Sequence, residues 1–269
     1  YLDELQFEST ITSLQNDSDL VNIENTKNYL ILGKNGQLTD TIMIANVNKN
    51  TQEINIVSLP RDLYVNNQKI NAIYSTQGVE ALITTVENIS LLPIENYVLI
   101  DMFAFADVID LLGGIEIYLD QAVVDPSYKT FDNGKWGTLY YPPGKHELNG
   151  TEALRIARSR HYSSDFARAE RQQIIIEAVK NKLSELSALN FKKMIQLFFV
   201  VQTKVETDLG FSEGLKLVRD YRGYDVGKQS VLSTANVLTS STSEFGAYIL
   251  EPKEDNWSLL KSFIQNAVR

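Results

Sequence analysis

Three features of the chain predict one layered α/β domain. Strand-like and helix-like segments alternate along it, neither an internal repeat nor a linker divides it, and 269 residues suffice to bury a large core. A hydrophobic share of 43% beside 22% charged residues belongs to an ordered globule. The formal charge of -9 excludes a broad nucleic-acid-binding surface, which would need a basic face to neutralise phosphates. With no Cys there is neither a disulfide framework nor a thiolate zinc site. No apolar run is long enough to span a bilayer, and the first residues lack a signal-peptide pattern. The chain begins at Tyr1, so this says little about an anchor in the native gene product.

In chain order, residues 1–28 form a polar lead-in, and 29–269 the single domain. "YLILG" (29–33) is a buried strand running into the turn "GKNGQ". "DTIMIANVN" and "EINIVSL" follow as a hairpin pair joined by "NKNTQ". Pro60 stops the second strand because it has no amide proton to donate, which leaves Arg61 and Asp62 just beyond a strand end. Lys69 lies in a loop or short turn ahead of a helix from Val79, whose Ala81, Leu82, Val86 and Ile89 share one side. "NYVLIDMFAFADVIDLLGGIEIYL" reads as strand, helix, glycine break at Gly113-Gly114 and strand. Residues 125–148 read as a long polar and aromatic loop, a lid or substrate rim carrying Tyr128, Phe131, Trp136, Tyr140 and Tyr141. Asn149 and Glu152 match an N-cap and its capping glutamate. Ser164 would cap the next helix, which turns Ile174, Ile175, Val179 and Leu183 toward a core. A helix at Phe191 to Val201, another at Ser212 to Tyr221, a Ser/Thr-rich loop near 233–243, the strand "GAYIL" and a closing helix after Asp255 complete the chain.

The chemistry concentrates in "RIARSRHYSSDFARAERQQ" (155–173), where five Arg against Asp165 and Glu170 make a basic segment in an acidic chain. Guanidinium groups present forked donors that match phosphate oxygens. Arg168, Arg171 and Gln172 fall along one helical face, and Arg158 and Arg160 join them if the chain bends at "RHYSSD". Charge counting alone favours a solvated helix face; Arg61 and Lys69, also at strand or loop ends, count against that reading. Asp40 and Asp62 either cap turns and pair with Arg, or offer oxygen ligands to magnesium, which takes further ligands from substrate phosphates. His146 and His161 form neither a zinc pattern nor a Ser-His-Asp arrangement, and "GKNG" is not a P-loop.

With these residues in view, the chain resembles the LytR-CpsA-Psr family of bacterial cell-envelope glycopolymer transferases. The resemblance rests on "LTDTIMIANVN", "VSLPRDLYV", "KINAIY", "DLLGGIEI", "LNGTEALRIARSR" and "DFARAERQQ", in the family's order, firmly over about Tyr29 to Leu183. It implies a three-layer α-β-α sandwich around a central mixed sheet, outside the membrane behind one N-terminal anchor that this chain lacks. It implies transfer of a phosphate-linked glycopolymer from a polyprenyl-pyrophosphate carrier to peptidoglycan or another cell-wall acceptor, with magnesium. Arg61, Lys69, Arg158, Arg160, Arg168, Arg171 and Gln172 would bind the pyrophosphate, and Asp40 and Asn35 the metal. Apolar helices around residues 79–112 and 174–201 would enclose the lipid, although core packing explains their apolar residues equally well. Asp40, Arg61, Asp62 and Asp165 are the expected catalytic residues, with Asp62 and Asp165 as candidates for the general base. The chain departs from the family where a Gly-x-Asp and an Arg-containing loop are usual, since it has Gly33, Lys34, Asn35 and then Gln37. That departure implies weaker metal binding, a different ligand arrangement or reduced transfer. Lys34 would then offset phosphate charge. The alternative function is a scaffold that keeps the lipid-pyrophosphate pocket without efficient chemistry; a hydrolase releasing the polymer to water is a third.

Overall fold

A computed structural model describes residues 20–21, 23–132, 134–159, 165–185, 196, 200 and 204–269. Its centre is a mixed six-stranded sheet. Strands β1 (Thr26–Asn35), β2 (Leu38–Asn48) and β3 (Glu53–Leu59) form an antiparallel meander. The β1–β2 turn is closed by Gly36, whose φ of +63° falls where a side chain would be strained. Two short strands, β4 (Tyr64–Val65) and β5 (Gln68–Lys69), then lead into helices α1 (Ile70–Gln77) and α2 (Val79–Ser90).

Strand β6 (Asn96–Asp101) returns parallel to β1 and runs directly into α3 (Met102–Leu112). Beyond the glycine break come β7 (Ile115–Leu119), the hairpin β8 (Val123–Asp132) and β9 (Lys135–Tyr141), then β10 (Gly144–Leu148), which pairs with β7. Helices α4 (Gly150–Arg158) and α5 (Asp165–Ser184) follow. The chain ends with β11 (Val205–Thr207), α6 (Phe211–Tyr221), β12 (Asp225–Val231), the hairpin β13 (Leu238–Thr242) and β14 (Tyr248–Pro252), and α7 (Trp257–Ala267). The sheet order is β11-β6-β1-β2-β3-β12.

The two faces of this sheet differ. Strand alternation lays Leu32, Ile42 and Leu59 in one cross-strand row and Leu30, Ile44 and Val57 in the next. All six are buried, against α1, α2 and α7. On the opposite face, Ile31, Val98 and Ile100 are only partly buried beneath α3, α4 and α5. The buried side chains of those helices pack instead on β7, β8, β9 and β10, through Ile109, Ile156 and Ile175. Helices on both faces of a central sheet make the expected three-layer sandwich.

Several local expectations change. Residues 125–148 are not a loop but two strand pairings: β8 with β9, turned at Gly134 (φ +78°), and β10 with β7. The segment 70–77 is helical, separated from α2 by Gly78 at φ +88°. Leu238 to Thr242, inside the Ser/Thr-rich stretch, is a strand paired with β14. The capping box at Asn149 and Glu152 is present, with the Asn149 carboxamide accepting from the Glu152 amide at 2.9 Å. The proposed cap Ser164 lies outside the described residues, as does most of the helix expected at 191–201.

Candidate functional site

Between the open sheet face and α3, α4 and α5 lies a cavity of ≈ 680 Å³. Its deep walls are apolar, with Ile31, Val98, Val108, Ile176, Val179 and Leu183 among them. Its other end is charged. Lys34, Asp40, Arg61, Asp101, Arg158 and Arg168 line it there, together with Asn35 and Gln172. Helix α5 runs along the whole cavity: from Arg168 to Leu183, at about 1.5 Å rise per residue, it covers roughly 22 Å.

The charged end is assembled from strand ends, as short loops at one edge of a sheet permit. Asp40 stands near the start of β2, and Arg61 follows β3 and Pro60. The Arg61 Nη1 donates to Asp40 Oδ1 at 2.8 Å. Asp62, only 4% exposed, accepts from Lys69 Nζ at 2.6 Å through one oxygen, and its other oxygen lies 3.4 Å from Arg61 Nε. The turn holding this pair is fixed by its neighbours. The Leu63 amide donates to the Pro60 carbonyl, the Leu250 amide donates to the Asp62 carbonyl, and the Leu63 side chain is fully buried.

Arg168, on the first turn of α5 and 5% exposed, reaches the Asp40 carbonyl at 3.4 Å. Arg158 ends α4 and is exposed, its Nη1 3.3 Å from Met102 Sδ. Gln172 lines the cavity and donates to the Ala157 carbonyl at 3.2 Å. Arg61, Arg158, Arg168 and Gln172, separated by more than a hundred residues at the extremes, thus meet on one cavity.

Two expected phosphate ligands are placed differently. Lys69 is bound to Asp62. Arg171 donates to the carbonyls of Ile156 at 3.2 Å and Ser159 at 2.5 Å, closing the C-terminal end of α4. Burial lowers the Arg171 pKa, with Glu170 and Asp125 opposing the shift. Arg160 and the side chain of Asp165 lie outside the described residues.

Among the described residues the cavity lining carries four cations against two carboxylates, a formal charge of +2. A pyrophosphate esterified at both ends carries one ionised oxygen on each phosphorus, so the lining and such a group balance. Among the described residues no cluster of three or more His, Cys, Asp or Glu could hold a metal alone. Asp40 and Asn35 both line the cavity and offer a carboxylate and an amide oxygen. That donor set fits a magnesium ion completed by substrate phosphates and water, not an all-protein cage.

The sequence reading did not single out Asp101, nor the sheet residues Ile31, Val98 and Ile100 of the apolar lining. It expected apolar helices around 174–201 and 79–112 to enclose a lipid: α5 lines the cavity as far as Leu183, but the earlier range does so only in part. Within that range only α3 borders the cavity, because α2 packs on the other face of the sheet. His146 is at the surface, with Nε2 2.7 Å from the Pro142 carbonyl.

A model described as the LytR_cpsA_psr family matches residues 6–263. The chain is 30% identical over 257 residues to the polyisoprenyl-teichoic acid–peptidoglycan teichoic acid transferase TagV of Bacillus subtilis (strain 168), covering 89% of this chain and 62% of that one. It is 34% identical over 192 residues to the transferase TagU of the same organism, covering 68% and 58%. The chain therefore spans about three-fifths of the length of these two relatives. The crystal structure of B. subtilis TagV superposes with a TM-score of 0.71 at 28% identity, over 92% of this chain and 98% of that one.

Proposed function

From the premise that this chain belongs to the LytR-CpsA-Psr family, we propose that it transfers a phosphate-linked glycopolymer from a polyprenyl-pyrophosphate carrier to peptidoglycan or another cell-wall acceptor. One observation carries the reading: a cavity of ≈ 680 Å³ with apolar walls along most of its lining and Arg61, Arg158 and Arg168 converging at its charged end. An isoprenoid chain is the ligand that matches both halves, since apolar walls favour its tail and forked donors its pyrophosphate. The related transferases TagV and TagU, named for a polyisoprenyl-linked teichoic acid and peptidoglycan, support the same donor and acceptor classes.

In this reading Arg61, Arg158 and Arg168 hold the pyrophosphate and spread the charge that develops as the bond to the lipid phosphate breaks. Asp40 orients Arg61 from one side, and the Asp62–Lys69 pair orients it from the other. Gln172 adds a neutral donor. Asp40 and Asn35 would hold magnesium, which when bound supplies further positive charge at the transferred phosphoryl group. With the donor anchored in the membrane and a peptidoglycan acceptor outside it, this reading has the transfer occur at the extracytoplasmic face. No helix among the described residues is long and apolar enough to cross one.

Incubating the protein with a polyprenyl-pyrophosphate-linked glycan, peptidoglycan and magnesium should give a phosphate-linked product. Donor binding with no product above a protein-free control would refute transfer. Release of the polymer to water without acceptor would identify a hydrolase. A second reading, a scaffold that binds the lipid without efficient transfer, draws on Asn35, neutral where the family pattern has a carboxylate. Asp40→Asn should weaken the response to magnesium, and a magnesium titration unchanged from wild type would remove the proposed metal role.

A further inference from the structure

A second cavity, ≈ 410 Å³, opens on the β6–β11 flank of the sheet, with Lys34, Asp101, Phe103, Lys204 and Glu206 in its walls. Lys34 and Asp101 also line the large cavity, so the two spaces share a wall at the ends of β1 and β6. The walls are braced. The Glu206 carboxylate accepts from the Tyr74 hydroxyl at 2.8 Å and the Tyr97 hydroxyl at 3.5 Å. Burial, and then the Glu206 hydrogen bond, push the Tyr74 pKa up to about 12, so this hydroxyl remains a donor at neutral pH. Lys204 is held by Asp107 of α3. Phe103, on the first turn of α3, is 72% exposed.

Asp101 differs from the other acids of the site. Its Oδ1 accepts from the amides of Phe103 and Ala104, each at 2.8 Å, which fixes the side chain as the N-cap of α3. Asp40 is neutralised by Arg61, and Asp62 by Lys69 and Arg61. Asp101 has no salt-bridge partner among the described residues, and its Oδ2 no hydrogen bond among them.

An exposed aromatic ring beside ammonium and carboxylate groups suits a polyhydroxylated ligand: the ring packs on the apolar face of a sugar while the charged groups take its hydroxyls. From the shared wall we infer that the β6–β11 flank is the acceptor-glycan subsite of the transfer proposed above, on which this inference rests, and that Asp101 is the general base. The acceptor hydroxyl oxygen forms a bond to the sugar-side phosphorus as its proton passes to the Asp101 carboxylate. The bond from that phosphorus to the bridging oxygen breaks, and the lipid monophosphate leaves with the electron pair.

Asp101→Asn retains a capping oxygen and so preserves α3, while Phe103→Ala removes an exposed ring. Transfer to a soluble oligomer of the peptidoglycan glycan backbone should show kcat reduced about 100-fold or more in Asp101→Asn, the usual scale for a general base. In Phe103→Ala the acceptor KM should rise at least fivefold, as read by the same assay. Titration with a polyprenyl pyrophosphate should give wild-type affinity for Phe103→Ala. Phe245→Ala, which removes an exposed ring lining neither cavity, should change none of these values. Wild-type kcat in Asp101→Asn or wild-type acceptor KM in Phe103→Ala would overturn the assignment. If wild type binds the donor but transfers nothing, the proposed function has failed. Direct calorimetric titration with the glycan oligomer then decides the subsite alone: binding lost in Phe103→Ala supports it, and no binding to wild type overturns it.

Discussion

Ile176→Asp tests whether the large cavity receives the lipid tail. Ile176 lines that cavity, is only half-buried and belongs to none of the buried apolar clusters, so replacing it removes little core. In the empty protein the new carboxylate meets water. The expected cost from helix propensity is about 0.2–0.4 kcal/mol, a fall in Tm of a degree or two. With a tail in place the carboxylate is desolvated, and its least costly response is to take up a proton. From an ordinary carboxylate value near 3.9, protonation at pH 7 costs about 4.2 kcal/mol, or roughly a thousandfold in affinity. At pH 5 the same step costs about 1.5 kcal/mol, roughly tenfold. Lowering the pH supplies the proton, so the variant's deficit should shrink by about two orders of magnitude relative to wild type. Calorimetric titration with a polyprenyl pyrophosphate at both pH values, beside circular dichroism to confirm folding, reads this directly. Wild-type affinity at pH 7 in a folded variant would mean that the tail lies elsewhere.

Three further substitutions separate the roles at the charged end. Arg158→Ala should leave Tm within about a degree or two, because the side chain is exposed, yet weaken pyrophosphate binding about tenfold in the same titration. Lys69→Met should act chiefly on stability, lowering it by about 1–3 kcal/mol in urea unfolding, because the buried Asp62 loses its 2.6 Å partner and retains Arg61 Nε at 3.4 Å. Gly150→Ala should destabilise by well over 2 kcal/mol in the same assay, since its Cβ would sit 2.1 Å from the Ala106 carbonyl oxygen where α3 and α4 cross.

The strands of the meander were legible because each is apolar and bounded by a turn or proline, and α4 because its cap and capping glutamate stand three residues apart. The β8–β9 hairpin was hidden because its outward residues are aromatic and its inward ones few, so no clean alternation marks it: Trp136 and Tyr140 are exposed, whereas Leu139 is buried. At the site, residue type pointed to the phosphate-binding chemistry proposed above, and spacing placed Arg168 and Gln172 on one helix. Spacing did not distinguish Arg168, which reaches the cavity, from Arg171, three residues on, which secures the end of α4. Such a distinction depends on which element packs beside α5. Asp101 was invisible for a similar reason. As a strand end and helix cap it reads as ordinary punctuation until two cavities are seen to share it.

The apolar lining was the hardest part to read, and the size of the cavity explains why it matters. Periodicity marks Val179 and Leu183 as inward-facing but does not say whether the space they face is filled. Were the whole ≈ 680 Å³ of the cavity sealed and dry, its cost at about 24 cal/mol per Å³ would be roughly 16 kcal/mol, at or beyond the whole stability of a typical domain. The fold is therefore consistent only with a cavity open to solvent or filled by a ligand. Solvent is a poor filling beside Ile31, Val98 and Ile176, so an apolar tail gains by displacing it. Occupancy and stability are then linked: a lipid that fills this space at a hundred times its dissociation constant should add about 2.7 kcal/mol to unfolding. Under the proposed function the Arg residues at the charged end would supply the selection, because a tail without phosphates would fill the walls and leave the +2 of the described lining unanswered.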